Sequence, residues 1–164
     1  MPVLTNPRPA GPRPGAPAGA LAGGIAAFAL IELSLALFMA FAPHAFYVAL
    51  GPFDAFNAHY LRDVASFEGA IGIALLVALR RPSWRVPVLA LTTVQFALHS
   101  FNHLLDIGSA DPRWTGYADF GSLVAVTLLL AWLWRLARNE GSGAGRPLTA
   151  MGGRRSATGE RSGT

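Results

Sequence analysis

Four stretches of almost unbroken apolar residues lie between a proline-rich start and a glycine-, serine- and arginine-rich end. They run from Ala20 to Phe41, from about Leu61 to Leu79, from Val86 to Ile107 and from Tyr117 to Leu136. At ~1.5 Å per residue the first is long enough, as a helix, to cross a ~30 Å hydrocarbon core. Runs two to four have polar outer ends, so they span only if that polarity faces protein or water. Pro43 and Pro52 break the chain after the first run, and Pro82 and Pro87 mark the short connection between the second and third. The pattern predicts an all-α, polytopic membrane protein. Its domain is a four-transmembrane-helix bundle over residues 20–138, with disordered tails over residues 1–19 and 139–164.

The third run departs furthest from a lipid-facing helix. At about 100° per residue, Thr92, Gln95, His99, Asn102, His103 and Asp106 fall within a single arc of about 100°, while the remaining positions are nearly all Leu, Val, Ala and Phe. From Gln95 to Asp106 this stripe rises about 16 Å, roughly half the membrane core. Facing lipid it would cost several kcal/mol, so it is predicted to face the bundle interior or a water-filled cavity. Glu32, Glu68 and His99 lie at similar depths, roughly 10–15 Å from the outer ends of their helices. A carboxylate there must be protonated, paired or hydrated, and pairing Glu32 or Glu68 with His99 satisfies both partners. On the second run His59, Arg62, Asp63 and Ser66 share one side, with Glu68 more than about 100° away beside a small-residue strip of Ala65, Gly69 and Gly72. Asp63 and Glu68 are therefore expected to serve different neighbours.

Composition sharpens the membrane reading. The chain of 164 residues is 52% hydrophobic and 13% charged, with mean hydropathy +0.41, where a soluble domain carries about a quarter charged residues. All thirteen basic residues are Arg, most of them outside the apolar runs, and the net charge is +4. Flanking arginines fit membrane topology better than a nucleic-acid-binding face, so no nucleic acid is expected as partner. Arg8 and Arg13, then Arg80, Arg81 and Arg85, then Arg135 and Arg138 mark three segments as cytoplasmic by the positive-inside rule; the other two connections hold only Arg62 and Arg113. Both termini then lie in the cytoplasm of a bacterium. Trp132 and Trp134 fall at the inner interface, and Tyr60, Trp114 and Tyr117 at the outer one. The Ala40–Ala42 segment resembles a signal-peptidase site, but the apolar run before it is about twenty-two residues long and holds Glu32, so it reads as a retained helix. The tail around Arg154 and Arg155 reads as a plain solvated segment.

The candidate chemistry is limited. No cysteine is present, which excludes disulfides, thiol catalysis and iron–sulfur clusters. Walker A, G-x-G-x-x-G and G-x-S-x-G motifs are absent, as is any internal repeat. His99 and His103, one turn apart, with Asp106 a turn further, form a candidate metal set that His59 or Asp63 could complete. Ser100 and Phe101 follow His99, so this is no H-E-x-x-H protease, and the paired E-x-x-H of a di-iron bundle is missing. Haem held between His99 and His59 or His44 is a further option without an attachment motif. No motif requires a cofactor; a divalent metal or haem are the alternatives.

At "PHAFY" followed by "FNAHYLRDVASFEGAIGIALLVALRRP" the chain resembles a family of small four-helix integral membrane proteins from high-GC actinobacteria, broadly DoxX-like in layout. The resembling residues are Pro43, Phe46 and Tyr47, then Asn57, His59, Arg62 and Asp63, and the histidine-bearing outer half of the third run, His99 and His103. The likeness extends over about residues 20–137. It implies the four-helix fold and the plasma-membrane address, and draws attention to His59, Arg62, Asp63 and His99. Proper DoxX proteins are linked to quinone-associated redox work; with no cysteine and no firm DoxX motif, that activity is not carried across.

The expectation is a small membrane protein with a polar pocket in the extracytoplasmic half, proton-active or ligand-binding. The lining residues would be Glu32, His59, Arg62, Asp63, Glu68, Gln95, His99, Asn102, His103 and Asp106. His99, Glu68, His59 and Asp63 are the acid–base candidates, with Arg62 anchoring an anionic group. One alternative is an accessory subunit whose polar residues are interhelical glue, partnered by the bilayer and by another membrane protein or a second copy. The other is a metal- or haem-binding redox protein.

Overall fold

The computed structural model describes residues 16–53 and 55–143. The Arg154–Arg155 segment, Arg8, Arg13 and Asp54 lie outside them, as do most of both predicted tails. Among the described residues the fold is all-helical: α1 (Ala16–Phe41), α2 (Pro43–Leu50), α3 (Ala58–Arg80), α4 (Arg85–Leu105) and α5 (Arg113–Gly143), with a 3₁₀ turn over Pro82–Trp84. The proline at 43 does not end helical structure. It occupies the first turn of α2, where a missing N–H costs nothing. The fourth helix begins earlier than the apolar run and continues to Gly143, so the boundary expected near Asn139 lies inside helix. Residues 16–19, assigned to the N-terminal tail, are likewise the first turn of α1.

The four long helices form a bundle in which α1 packs along α3 and α4 along α5, with lighter α3–α4 and α1–α5 contacts closing the ring. Each presents a seam at three- and four-residue spacing. On α1 it runs through Leu21, Ile25, Phe28, Ala29, Glu32, Ala36 and Met39; on α3 through Ala65, Glu68, Gly72, Leu75 and Ala78. On α4 it is Leu89, Thr92, Thr93, Phe96 and Ser100, and on α5 Leu130, Leu133 and Ala137. The opposite faces carry exposed Leu30, Leu37, Phe67, Ile73, Leu91, Leu98 and Leu128. The bundle is thus apolar outside as well as inside, with its buried polar groups on the seams. Among the described residues two helices are long and apolar enough to cross a membrane, Ala18–Phe41 and Arg113–Glu140. Polar residues of the kind already noted in runs two and three thin the apolar character of α3 and α4.

Glycines set the closest helix approaches. A Cβ on Gly72 would stand 2.7 Å from Leu33 Cγ and 3.1 Å from its backbone N, so α1 and α3 touch there almost backbone to backbone. One turn earlier a Cβ on Gly69 would be 3.6 Å from the Ala36 Cβ, an ordinary contact. At the opposite end of the bundle Arg85 donates to Glu140 at 2.8 Å and its Nε to the Ala78 carbonyl at 3.4 Å, tying α5 to the α3–α4 connection.

Two outcomes follow. Gly69→Ala gains helix propensity of up to about 1 kcal/mol and loses no packing. Gly72→Ala must push Leu33 aside, an overpacking cost of about 1–3 kcal/mol that outweighs the same gain. Thermal unfolding of the two variants in detergent is expected to move in opposite directions, and equal shifts would contradict the tight contact. Glu140→Ala, which strands a half-buried guanidinium, is expected to cost about 1 kcal/mol and to speed hydrogen exchange in the last turns of α5.

Candidate functional site: an acidic cavity at one end of the bundle

A cavity of about 650 Å³ opens where α1 and α4 end and α3 and α5 begin. Its apolar wall comes from Leu35 and Met39 on α1, Phe46, Tyr47 and Leu50 on α2, and Leu61 and Val64 on α3. Its polar wall is Glu68 on α3, His99, Asn102, His103 and Asp106 at the end of α4, and Asp119 and Ser122 on α5. Three carboxyls and two imidazoles line it, with no arginine among them.

The roof is built from the two end loops. Phe53 and Ala110 form a single antiparallel bridge, joining the α2–α3 loop to the α4–α5 loop. The Phe53 ring meets His103 edge-on at 4.9 Å, and His103 lies 4.9 Å from His99. Asn57, whose Oδ1 accepts the backbone N–H groups of His59 and Tyr60 at 3.1 Å each, caps α3 and also lines the cavity. Gly116 seats the start of α5 on the loop leaving α4: a Cβ there would collide with the Ile107 carbonyl.

The structure divides the ten expected lining residues in half. Glu68, His99, Asn102, His103 and Asp106 line the cavity; Glu32, His59, Arg62, Asp63 and Gln95 do not. His59 and Asp63 pair with each other at 3.5 Å on the exposed side of α3, and Arg62 donates to the Ala40 carbonyl at 3.4 Å. They lie at the start of α3 and its junction with α1, so Arg62 is not in the cavity wall and the acid–base candidates His59 and Asp63 are separate from His99 and Glu68. The reason is helix phase: the buried line of α3 runs through Ala65 and Glu68, on the other side. The separation of Asp63 from Glu68 read from the sequence is what the fold contains.

On α4 the buried line falls on Thr92, Thr93, Phe96 and Ser100, so the polar stripe runs along its edge. Thr92, Thr93 and Ser100 hydroxyls bond to carbonyls one turn back, at 2.9, 2.6 and 2.7 Å, and Ser100 reaches Thr127 of α5 at 3.2 Å. Gln95 is half-buried beside them and its Oε1 has no partner. Among the described residues no three His, Asp or Glu side chains converge in a way that could hold a metal ion, so His99, His103 and Asp106 share a wall without forming a coordination sphere.

Glu32 is the deepest polar group. It is fully buried on the α1 seam, and its side chain interacts with that of Glu68, which is 8% exposed. It thus stands behind Glu68, and its expected pairing with His99 is replaced by the pairing of two carboxyls. Apart from this meeting of Glu32 and Glu68, the oxygens of Glu32, Glu68 Oε2, Asp119 Oδ2 and His103 Nδ1 have no hydrogen-bond partner. His99 lies within electrostatic reach of His103, Glu68 and Asp119. Asp119 and Ser122 were not among the expected lining residues. Their signal was a carboxylate and a hydroxyl just inside the outer end of the fourth apolar run, at three-residue spacing.

Compared with family models, curated proteins and solved structures, the chain finds no match.

Gly116→Ala is expected to displace the 107–112 loop, lower the unfolding temperature and increase proteolysis within that loop. Gly121→Ala, where a Cβ would meet nothing within 4 Å, is the control that leaves both unchanged.

Proposed function

We propose that this chain is a small multi-pass protein of a bacterial plasma membrane, with four spans and both termini cytoplasmic, whose outward cavity binds a small ligand. The observation that carries the reading is the set of buried polar atoms at the cavity that no protein group satisfies. A native protein leaves few such atoms, and each costs about 1–3 kcal/mol unless a ligand, proton or water serves it.

The four-span reading is supported by the exposed apolar faces on all four long helices and by the aromatic residues at their ends. Trp114, Tyr117 and Tyr60 are exposed at the cavity end and Trp132 at the other. Arg138 lies 5.7 Å over the Trp134 ring at that second end, where Arg80, Arg81 and Arg85 also gather. The polar ends of α3 and α4 then line the cavity and face each other across it. A purely structural role for the polar residues is favoured only for the hydroxyls: Ser100 and Thr127 do bond across α4 and α5. Among the cavity's described carboxyls and imidazoles, Glu68 Oε2, Asp119 Oδ2 and His103 Nδ1 have no such partner.

The absence of cysteine makes the test direct, because any introduced thiol is the only one present. In cells, Ser122→Cys and Ser109→Cys are expected to react with a membrane-impermeant thiol reagent added outside, and Ser83→Cys only in inverted vesicles. Labelling of Ser83→Cys from outside would overturn the orientation. An unreactive Ser122→Cys in a folded protein would overturn the outward-open cavity.

A further inference from the structure

Resting on that cavity reading, we propose that the ligand is a compound with a primary ammonium group on an apolar body, its nitrogen held between Glu68 and Asp119.

The argument begins with what the cavity lacks. Its unpartnered carboxyl atoms, Glu68 Oε2 and Asp119 Oδ2, are hydrogen-bond acceptors. The occupant they call for is a donor. At these carboxyls an anion or an ester would add acceptors to acceptors, and among the described residues no arginine lines the cavity to offset them. An ammonium supplies three N–H donors and a positive charge where carboxyls stand on two separate helices, α3 and α5.

Glu68 is the informative group. It is more than nine-tenths buried, lies in the cavity wall and keeps an oxygen without a partner. Behind it, Glu32 of α1 faces Glu68 of α3. The other titratable groups lining the cavity are His99, which lies within electrostatic reach of Glu68, and His103 on α4, Asp106 at its end and Asp119 on α5, with Tyr47 and Tyr60 from α2 and α3. The remaining wall sets the body of the ligand. Leu35, Met39, Leu61 and Val64 offer apolar surface, and Phe46 and Phe53 offer rings to a cation or an aromatic group. A volume of about 650 Å³ is far more than a bare ammonium ion needs.

The same headgroup chemistry occurs in a free amine and in an ethanolamine lipid, and the test separates them. The full-length Ser122→Cys protein is reconstituted in phosphatidylglycerol vesicles, and its reaction with a small neutral thiol reagent is timed. Phenethylamine is expected to slow the reaction while 2-phenylethanol, its uncharged counterpart, does not. If phenethylamine is silent but adding phosphatidylethanolamine slows labelling, the ammonium belongs to a lipid headgroup. Glu68→Gln and, separately, Asp119→Asn are expected to raise the half-protecting phenethylamine concentration about tenfold or more. Asp119 is only half-buried, so its variant serves if Glu68→Gln does not fold.

Equal protection by 2-phenylethanol would overturn the cation, as would protection by phenylacetate or by no compound. In each case a reactive Ser122→Cys leaves the cavity reading standing, so the two failures are distinguishable.

Discussion

The close crossing of α1 on α3 is the contact on which the rest of the bundle depends. Gly72 admits Leu33 to near backbone distance, and Ala36 lies over Gly69 one turn away. Small residues at a helix interface let dispersion accumulate over long stretches of backbone, the main source of helix adhesion where the surrounding medium is itself apolar. The same approach fixes the relative height of the two helices. Glu32 and Glu68, each on its helix's buried seam beside these contacts, are brought together because of it. A side chain on Gly72 would have spaced the helices apart and left each carboxyl with a different neighbour.

The two ends of the bundle differ in character. Towards Arg85 and Glu140 the interior is filled by Leu21, Ile25, Leu75, Leu89, Leu130 and Leu133, and the helices are closed by an ion pair. Towards Phe53 and Ala110 the helices part around a cavity, and two loops joined at one bridge cover it. Hydroxyl groups in the middle bond their own helix and, at Ser100 and Thr127, the neighbouring one. Polarity therefore changes character along the axis. In the middle the hydroxyls are satisfied internally, and at the cavity end Glu68 Oε2, Asp119 Oδ2 and His103 Nδ1 have no protein partner.

Several features of this arrangement were legible in the chain. The four long helices follow from hydrophobic runs of the right length, a local property that packing did not change. Glycine and proline positions located the breaks, although Pro43 proved to start a helix rather than only end one. The stripe from Gln95 to Asp106 was visible because an α-helix has a fixed period, and its outer half does line the cavity. The opposite faces assigned to Asp63 and Glu68 hold for the same reason. The string from Asn57 to Asp63 drew attention by its residue types, but those types serve equally well in a helix cap and a surface ion pair. That is where Asn57, His59 and Asp63 are found.

By itself, then, the sequence determined what repeats along one helix: length, phase, polar stripe and capping. Each depends only on residues within a few turns of one another. Only the tertiary structure decided what depends on two helices at once. It set the rotation of α4 by which Ser100 rather than Asn102 faces the core, and placed Asp119 opposite His99 and His103. It also turned Arg62 towards Ala40 and away from the cavity, and paired Glu32 with Glu68 instead of with an imidazole. The physical reason is that helix register and rotation are set by steric contact between facing side chains. A difference as small as the absence of one Cβ at Gly72 selects among registers that hydropathy alone treats as equal.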